Sequence, residues 1–434
     1  MAKLPLNKKI FYGIGQLGVT IPAFFISTYI FIFYSPLQGT KILDASVVGI
    51  AMFLGTLVQA IANPFIGNWS DKLKFKVGRR RFFILTGFIP LSLFFALIWF
   101  PFFSGIIMAV LLFVYLLGFN FLFAYVVLPY LALIPEISTE SGDRVVLTTI
   151  SAYFSIAGII IASILPAILL LLGASLSEVG LILALITLLS FFLVFISVRE
   201  STGEEKMPKE YSVLKAFIQT FRNKTFTRYI VAYLFFQFGF YFFLTSLGYY
   251  VENIVMPGYQ GYKTYIGLFT LVAVIFTIIF SPLLVWYTRR RGEKRSFILF
   301  TTILGLVMIS TFFVGLTRIL SNTVQMLIVM IFAGLGLTSY FILPNAIISE
   351  IIDEDEILTG YRREGMYFGV QGLLERIPSG LSSFALGVWI TYLYYPSSND
   401  IYIRLLGVVG GISIIITAIL FIFVPLKEGV RRNG

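Results

Sequence analysis

Apolar residues in this chain are gathered into long blocks, each of about 20 or more positions, separated by short breaks rich in charge, proline or glycine. A block of that length spans the hydrocarbon of a bilayer as an α-helix, which satisfies its backbone donors and acceptors internally. Cutting the chain at the breaks predicts twelve spans, at residues 10–34, 46–70, 81–103, 106–134, 145–172, 177–198, 226–251, 263–288, 296–317, 322–349, 365–394 and 401–424. The expected fold class is an all-α integral membrane protein.

Charge gives this pattern a direction. Lys and Arg differ sharply between alternate connections, and 27 of the 32 lie on one side, in stretches such as the 71–81 loop, the 199–228 connection and the 289–295 turn. The opposite side carries only Lys41, Lys263, Arg318 and Arg404, and the remaining Arg376 falls inside a span. Cytoplasmic loops retain positive charge, so both termini are expected in the cytoplasm of a multi-pass plasma-membrane protein. A net charge of +11 would suggest nucleic acid in a soluble protein; distributed this way it reads as a topology signal, and no nucleic-acid partner is expected. The N-terminal apolar run is too long for a signal-peptide core and reads as a first span that is retained.

Composition narrows the chemistry. Residues are 58% hydrophobic and 12% charged, which would leave a soluble globule too little polar surface. The absence of cysteine and histidine closes disulfide, zinc, thiol-nucleophile and imidazole-base chemistry. No enzyme activity, cofactor or bound metal is expected. A membrane-embedded enzyme would need clustered His, Asp or Glu near the interface, and only the acidic run EIIDEDE at 350–356 approaches that.

The longest charged connection, 199–225, lies near the middle of the chain and divides it into residues 1–198 and 226–434. The two parts echo one another. NPFIGNWSDKLKFKVGRRRFFIL from 63 has a counterpart in SPLLVWYTRRRGEKRSFIL from 281, pairing Pro64 with Pro282 and Arg81 with Arg295. LPYLALIPE from 128 matches LPNAIISE from 343, pairing Pro129 with Pro344, and the three offsets of 218, 214 and 215 sit close to half the length. Two similar six-helix halves joined by a cytoplasmic linker are the architecture of secondary transporters, whose substrate sits near the midplane between halves.

Four stretches carry a resemblance to a known family: FYGIGQLGVTIPAFFISTYIFIFY at 11–34, the Asn-Pro loop from 63, VVLPYLALIPEISTESGDR at 126–144 and RREGMYFGVQGLLER at 362–376. In these the chain resembles the major facilitator superfamily and, within it, the glycoside-pentoside-hexuronide:cation symporters. The core from Gly67 to Arg80 is shared across the superfamily. The resemblance implies two pseudo-symmetric six-helix halves and sugar symport driven by sodium, lithium or protons, with a cation site around aspartates of helices one, two and four. The chain departs from that pattern. Thr20 stands at the helix-one aspartate position, Asn63-Pro64 replaces the helix-two Asp-Pro, and Val127 falls at the helix-four aspartate. The arginine expected early in span five falls near Ser151 and Ala152, whereas the span-eleven basic residue persists as Arg376, where the family usually has lysine, alongside Gln371.

An ionisable group inside a bilayer costs roughly 2.5 to 3.5 kcal/mol on insertion scales, so those present are functional candidates. The span assignment puts two well inside, Glu375 and Arg376. Adjacent helical positions lie about 100° apart, so each seeks its own partner. Either the two form a structural pair neutralising one region, or Arg376 donates to substrate oxygens and Glu375 carries a proton. Spans one, two and four hold no interior carboxylate, which disfavours sodium and leaves the proton as the expected coupling cation. Uncoupled facilitation is the competing expectation. Gln16, Thr20, Gln59, Asn63, Asn120, Tyr125, Gln237, Tyr241, Asn345 and Gln371 are polar and at expected cavity-facing positions. Of these, Thr20, Asn63, Asn120, Tyr125, Gln237, Tyr241 and Gln371, with Arg376, are the candidate substrate-binding residues, because amides and tyrosines both donate and accept. Hydrogen bonding between helices is the alternative account of each.

At the cytoplasmic ends, Asp71, Glu136 and Glu350 are placed to pair with Arg79, Arg80, Arg81 and the 289–295 cluster as a gate that also takes in Arg144, with solvated loop charge as the alternative account. The expected function is a secondary active transporter of a sugar or glycoside, a proton-coupled symporter that works as a monomer in the bilayer by alternating access. The alternatives are a non-sugar organic solute or lipid-like cargo on the same fold, or sodium-coupled sugar symport.

Overall fold

The computed structural model describes residues 5–72, 77–137, 141–198, 220–317, 319–359 and 364–426. Among these residues all regular secondary structure is helical. Six long helices fill the first part of the chain, besides a single turn at Ile134–Ile137: α1 (Leu6–Tyr34), α2 (Ala45–Lys72), α3 (Arg79–Leu97), α4 (Gly105–Ala132), α5 (Ser141–Leu171) and α6 (Leu176–Ser197). The second part holds α7 (Lys224–Tyr250), which continues into a π-turn at Val251–Val255, α8 (Tyr262–Arg291), α9 (Glu293–Ser310) and α10 (Asn322–Thr359). It ends with α11 (Glu364–Leu374), α12 (Arg376–Trp389) and α13 (Asp400–Ile422). Eleven of the described helices are long and apolar enough to cross a membrane. The eleventh expected span, 365–394, is divided between α11 and α12 and is the one missing from that set.

The division has a local cause. Pro378 sits in the first turn of α12, where a proline has no N–H to return to the carbonyl of Leu374. The helix therefore tightens at Glu375, whose own N–H still reaches the Gln371 carbonyl at 2.9 Å. Other ends follow ordinary signals. Ser175 and Glu178 form a capping box at the start of α6, and the amide side chains of Asn223 and Asn399 cap α7 and α13. α3 stops at Leu97, short of the expected 103, as the chain approaches Pro101. α10 runs ten residues past the expected 349, because the acidic run after it contains no helix breaker.

The chain forms two compact units, one of Met1–Lys206 with Lys263–Leu268 and one of Met207–Tyr262 with Phe269–Gly434. In the first, α1 packs along α5 and α6, α2 along α4, and α3 along α4 and α6. In the second, α7 packs along α12 and α13, and α9 along α10 and α13. One pairing scheme thus recurs: the first span lies on the fifth and sixth, and the third on the fourth and sixth. Lipid offers no hydrophobic drive for these contacts, so close approach at small residues matters. A Cβ on Gly15 of α1 would lie 2.6 Å from the Tyr130 ring, and one on Gly239 of α7 would lie 2.6 Å from the Gly410 carbonyl of α13.

Candidate functional site

Tyr229, Tyr233, Gln237 and Tyr241 recur every four residues along α7, and Tyr367, Gln371 and Glu375 do the same along α11 and its end. Fourfold spacing puts each set on one helical face. The two faces meet in the second unit as a ladder of polar contacts. Asn223 Nδ2 donates to Tyr367 Oη at 3.1 Å, and Tyr229 Oη to Gln371 Oε1 at 3.1 Å. Glu375 Oε2 accepts from Tyr233 Oη and from Gln237 Nε2, each at 3.4 Å, and Gln237 Nε2 also donates to Tyr233 Oη at 2.8 Å.

Aromatic rings enclose this ladder. Tyr229 and Tyr233 stack with centroids 5.6 Å apart, Tyr340 of α10 stacks on Phe240 at 4.2 Å, and Tyr340 and Tyr241 are hydrogen-bonded to each other. The Glu375 carboxyl is drawn towards the tyrosine and amide on α7, while Arg376 adds a fixed positive charge next to it. Two polar atoms at this place have no partner. Gln237 Oε1 lacks a donor, and Arg376 Nε lacks an acceptor. A buried polar atom left unmade is costly unless something outside the chain completes it. The cluster can therefore offer a guanidinium donor, an amide acceptor and a carboxyl group to a hydroxylated ligand, with aromatic faces beside them.

The candidate residues of the first unit do not assemble in this way. Thr20 Oγ1 pairs with Ser155 Oγ at 3.1 Å, and Tyr125 Oη with Thr86 Oγ1 at 3.0 Å. Asn120 Nδ2 bonds back to its own helix at the Leu116 carbonyl, 2.8 Å away, and packs against Gly55, which is a structural use of the amide. Asn63 and Gln16 are half-buried and Gln59 is buried, whereas Asn345 in the second unit is exposed.

At the expected cytoplasmic ends the side chains of Asp71, Glu136 and Arg144 lie outside the described residues. Arg80 is buried. Arg81 donates to the Phe195 carbonyl near the end of α6 at 2.7 Å and to Val77 at 3.2 Å, with its guanidinium 4.8 Å from the Phe195 ring centroid. It thereby satisfies carbonyls at a helix C-terminus. Arg79 and Glu350 are half-buried, and the like charges of Glu293, Glu354 and Asp353 act on Glu350.

Sequence reasoning missed two charged features. Lys9 and Asp143 form a 2.7 Å ion pair between α1 and α5, with side chains only 9% and 11% exposed. Beside it Tyr12 and Tyr130 stack at 4.7 Å and exchange hydroxyl-to-carbonyl bonds of 3.2 and 2.8 Å. Both charges were counted as connection residues, and a pair separated by 134 positions leaves no local signal. The second is Glu252, 0% exposed on the π-turn that prolongs α7, one residue past the expected end of span seven. A π-turn at a buried carboxylate was the structural sign, and sequence periodicity does not show it.

Known proteins resemble this chain over nearly its whole length. An uncharacterized symporter from Synechocystis sp. is 25% identical, over 89% of this chain and 85% of its own. The isoprimeverose transporter of Lactiplantibacillus pentosus is 22% identical, over 89% and 80%. The crystal structure of a D-xylose-proton symporter superposes with a TM-score of 0.73 at 12% identity, covering 97% of each chain, which establishes a shared fold. The sequence profile described as MFS/sugar transport protein matches residues 11–428, a stretch that includes the helices of both units and the Glu375–Arg376 cluster. With repeated helix pairing and charge in the eleventh span already in view, this match settles the lineage: the chain belongs to the MFS/sugar transport family.

Proposed function

We propose that the protein is a sugar symporter driven by protons, in which Arg376 binds substrate hydroxyl oxygens and Glu375 carries the proton. The observation that carries this reading is the cluster in the second unit, where a carboxyl and a guanidinium occupy one mid-span region among tyrosines and amides. Relatives named for isoprimeverose and D-xylose support a small sugar as cargo. Tyr241 and Gln371 join Arg376 as ligand-facing groups, and Thr20, Asn63, Tyr125 and Gln237 complete the proposed set, with Asn120 left to its structural bond at Leu116. Amides and tyrosines suit a neutral, hydroxyl-rich ligand because each both donates and accepts. A proton suits the cation role better than sodium, since a sodium site takes several oxygen ligands and the interiors of α1, α2 and α4 supply no carboxylate.

The protein resides in the plasma membrane with both termini cytoplasmic, as a functional monomer built from halves 1–198 and 226–434. Sugar and proton pass together as the binding residues become accessible to each side in turn. Asp71, Arg79, Arg80, Arg81, Glu136, Arg144 and Glu350 form the cytoplasmic gate. The test is uptake of a panel of radiolabelled sugars into proteoliposomes under imposed pH or sodium gradients. Accumulation of one sugar under an inward proton gradient supports the reading; accumulation under sodium alone, or of no sugar by folded protein, overturns it. A gradient of 100 mV supplies about 2.3 kcal/mol per charge, which sets roughly 40-fold accumulation as the expected ceiling for one proton.

A further inference from the structure

Gln237 is held in a way that ligand binding alone does not use. Its Nε2 gives two hydrogen bonds, to Tyr233 Oη and Glu375 Oε2, while its Oε1 is left without a donor in a residue only 2% exposed. A primary amide carries donors on one edge and acceptors on the other, and its terminal torsion is two-fold, so a half turn exchanges the edges with no backbone movement. A carboxylate only accepts hydrogen bonds, whereas a carboxylic acid also has an O–H to give.

These facts make the Tyr233, Gln237 and Glu375 triangle reversible. In the ionised state the amide N–H and the tyrosine O–H both donate to the Glu375 carboxylate, and the amide N–H edge also donates to the tyrosine oxygen. When Glu375 takes up a proton, its new O–H needs an acceptor, and the buried Oε1 of Gln237 is the one without a partner. A half turn of the amide brings that oxygen to the acid, and the Tyr233 hydroxyl then donates to it as well. Each state leaves one edge of the amide unfilled, Oε1 in the first and Nε2 in the second, so neither is locked. We infer that Gln237 is a positioning residue that reads the protonation state of Glu375, presenting its N–H edge to the carboxylate and its oxygen edge to the acid. The only bond made or broken is the O–H of Glu375, whose proton arrives from one aqueous side and leaves to the other down the gradient.

The charges facing Glu375 are consistent with a single titrating member. Arg376 lies beside it on its own span, Tyr229, Tyr233 and Tyr241 face it from α7, and Tyr340 faces it from α10. Arginine stays charged and tyrosine stays neutral across the physiological range.

The inference rests on Glu375 as the proton carrier, and the test separates the two. In proteoliposomes, pH-driven accumulation is measured against equilibrium exchange of the same sugar for Gln237→Leu, Glu375→Gln and the swapped pair Gln237→Glu with Glu375→Gln. The ratio of accumulation to exchange is expected to fall about tenfold in Gln237→Leu, the worth of one hydrogen bond to a charged group, and to recover to within about threefold in the swap, which restores one acid and one amide. A role confined to structure or to ligand contact lowers both rates together and leaves the ratio unchanged; that result overturns the inference, as does a swap that exchanges sugar but does not accumulate it. If Gln237→Leu yields no exchange at all, Tyr233→Phe decides, with the same fall expected and an unchanged ratio overturning the inference. Retained accumulation in Glu375→Gln overturns both readings. Loss there with wild-type behaviour in Gln237→Leu overturns only this one.

Discussion

At the scale of single residues, Glu375 and Arg376 were legible in the sequence because charge in a span is expensive and seldom idle. What the sequence did not give was their company. Arg376→Ala is expected to raise the half-saturating sugar concentration at least tenfold, with Arg376→Lys between it and wild type, because lysine keeps the charge but not the planar fork of donors. Competition binding in detergent checks this without involving coupling. The Lys9–Asp143 pair answers to different physics. Neutralising either partner strands a buried charge and is expected to cost about 3 to 5 kcal/mol, while the double change Lys9→Met with Asp143→Leu restores most of the loss. Thermal unfolding of the three variants checks it. Nothing near either residue in the string announces the pair, since both charges sit where connections were expected and the contact is made only once α1 and α5 lie side by side.

At the scale of elements, the recurrence of Tyr229, Tyr233 and Gln237 on one helix and Tyr367, Gln371 and Glu375 on another is plain in the sequence. Their meeting is not, because it depends on α7 lying against the eleventh span. The reading of that span as one helix over 365–394 overlooked Pro378, whose consequence falls four residues upstream at Leu374. Pro378→Ala is expected to join α11 and α12 into one helix, leave thermal stability unchanged or higher, and slow sugar uptake severalfold by shifting Glu375 out of reach of Tyr233 and Gln237. Uptake rate and melting temperature measured on one preparation separate these effects. Spans one to ten and twelve were recognisable from length and apolarity alone; α10 outran its hydrophobic block through the acidic extension, and α3 stopped short of its expected end ahead of Pro101.

At the scale of the whole molecule, the asymmetry of Lys and Arg is what supports the proposed cytoplasmic placement of both termini. The chain contains no cysteine, so single cysteines can be introduced without a background. A membrane-impermeant maleimide applied to intact cells is expected to label Lys41→Cys and to leave Arg290→Cys unlabelled until the membrane is opened. The reverse pattern would invert the topology. The three sequence anchors that suggested a repeat are matched by a pairing of helices common to both units, yet the anchors are mostly proline and arginine, while the contacts are made by glycines and aromatics that do not align. The pairing of helices recurs where most of the side chains differ. One consequence concerns α10, whose 38 residues extend for roughly 57 Å against a hydrocarbon layer of about 30 Å. Against the about 40–45 Å of a bilayer with its interfaces, a helix of this length that spans upright has roughly 12–17 Å left over, and a tilt of about 10° over an arm of about 15 Å sweeps its tip by roughly 3 Å. Ile357, 85% exposed near that tip, is where a spin label would register the transport cycle from outside the membrane.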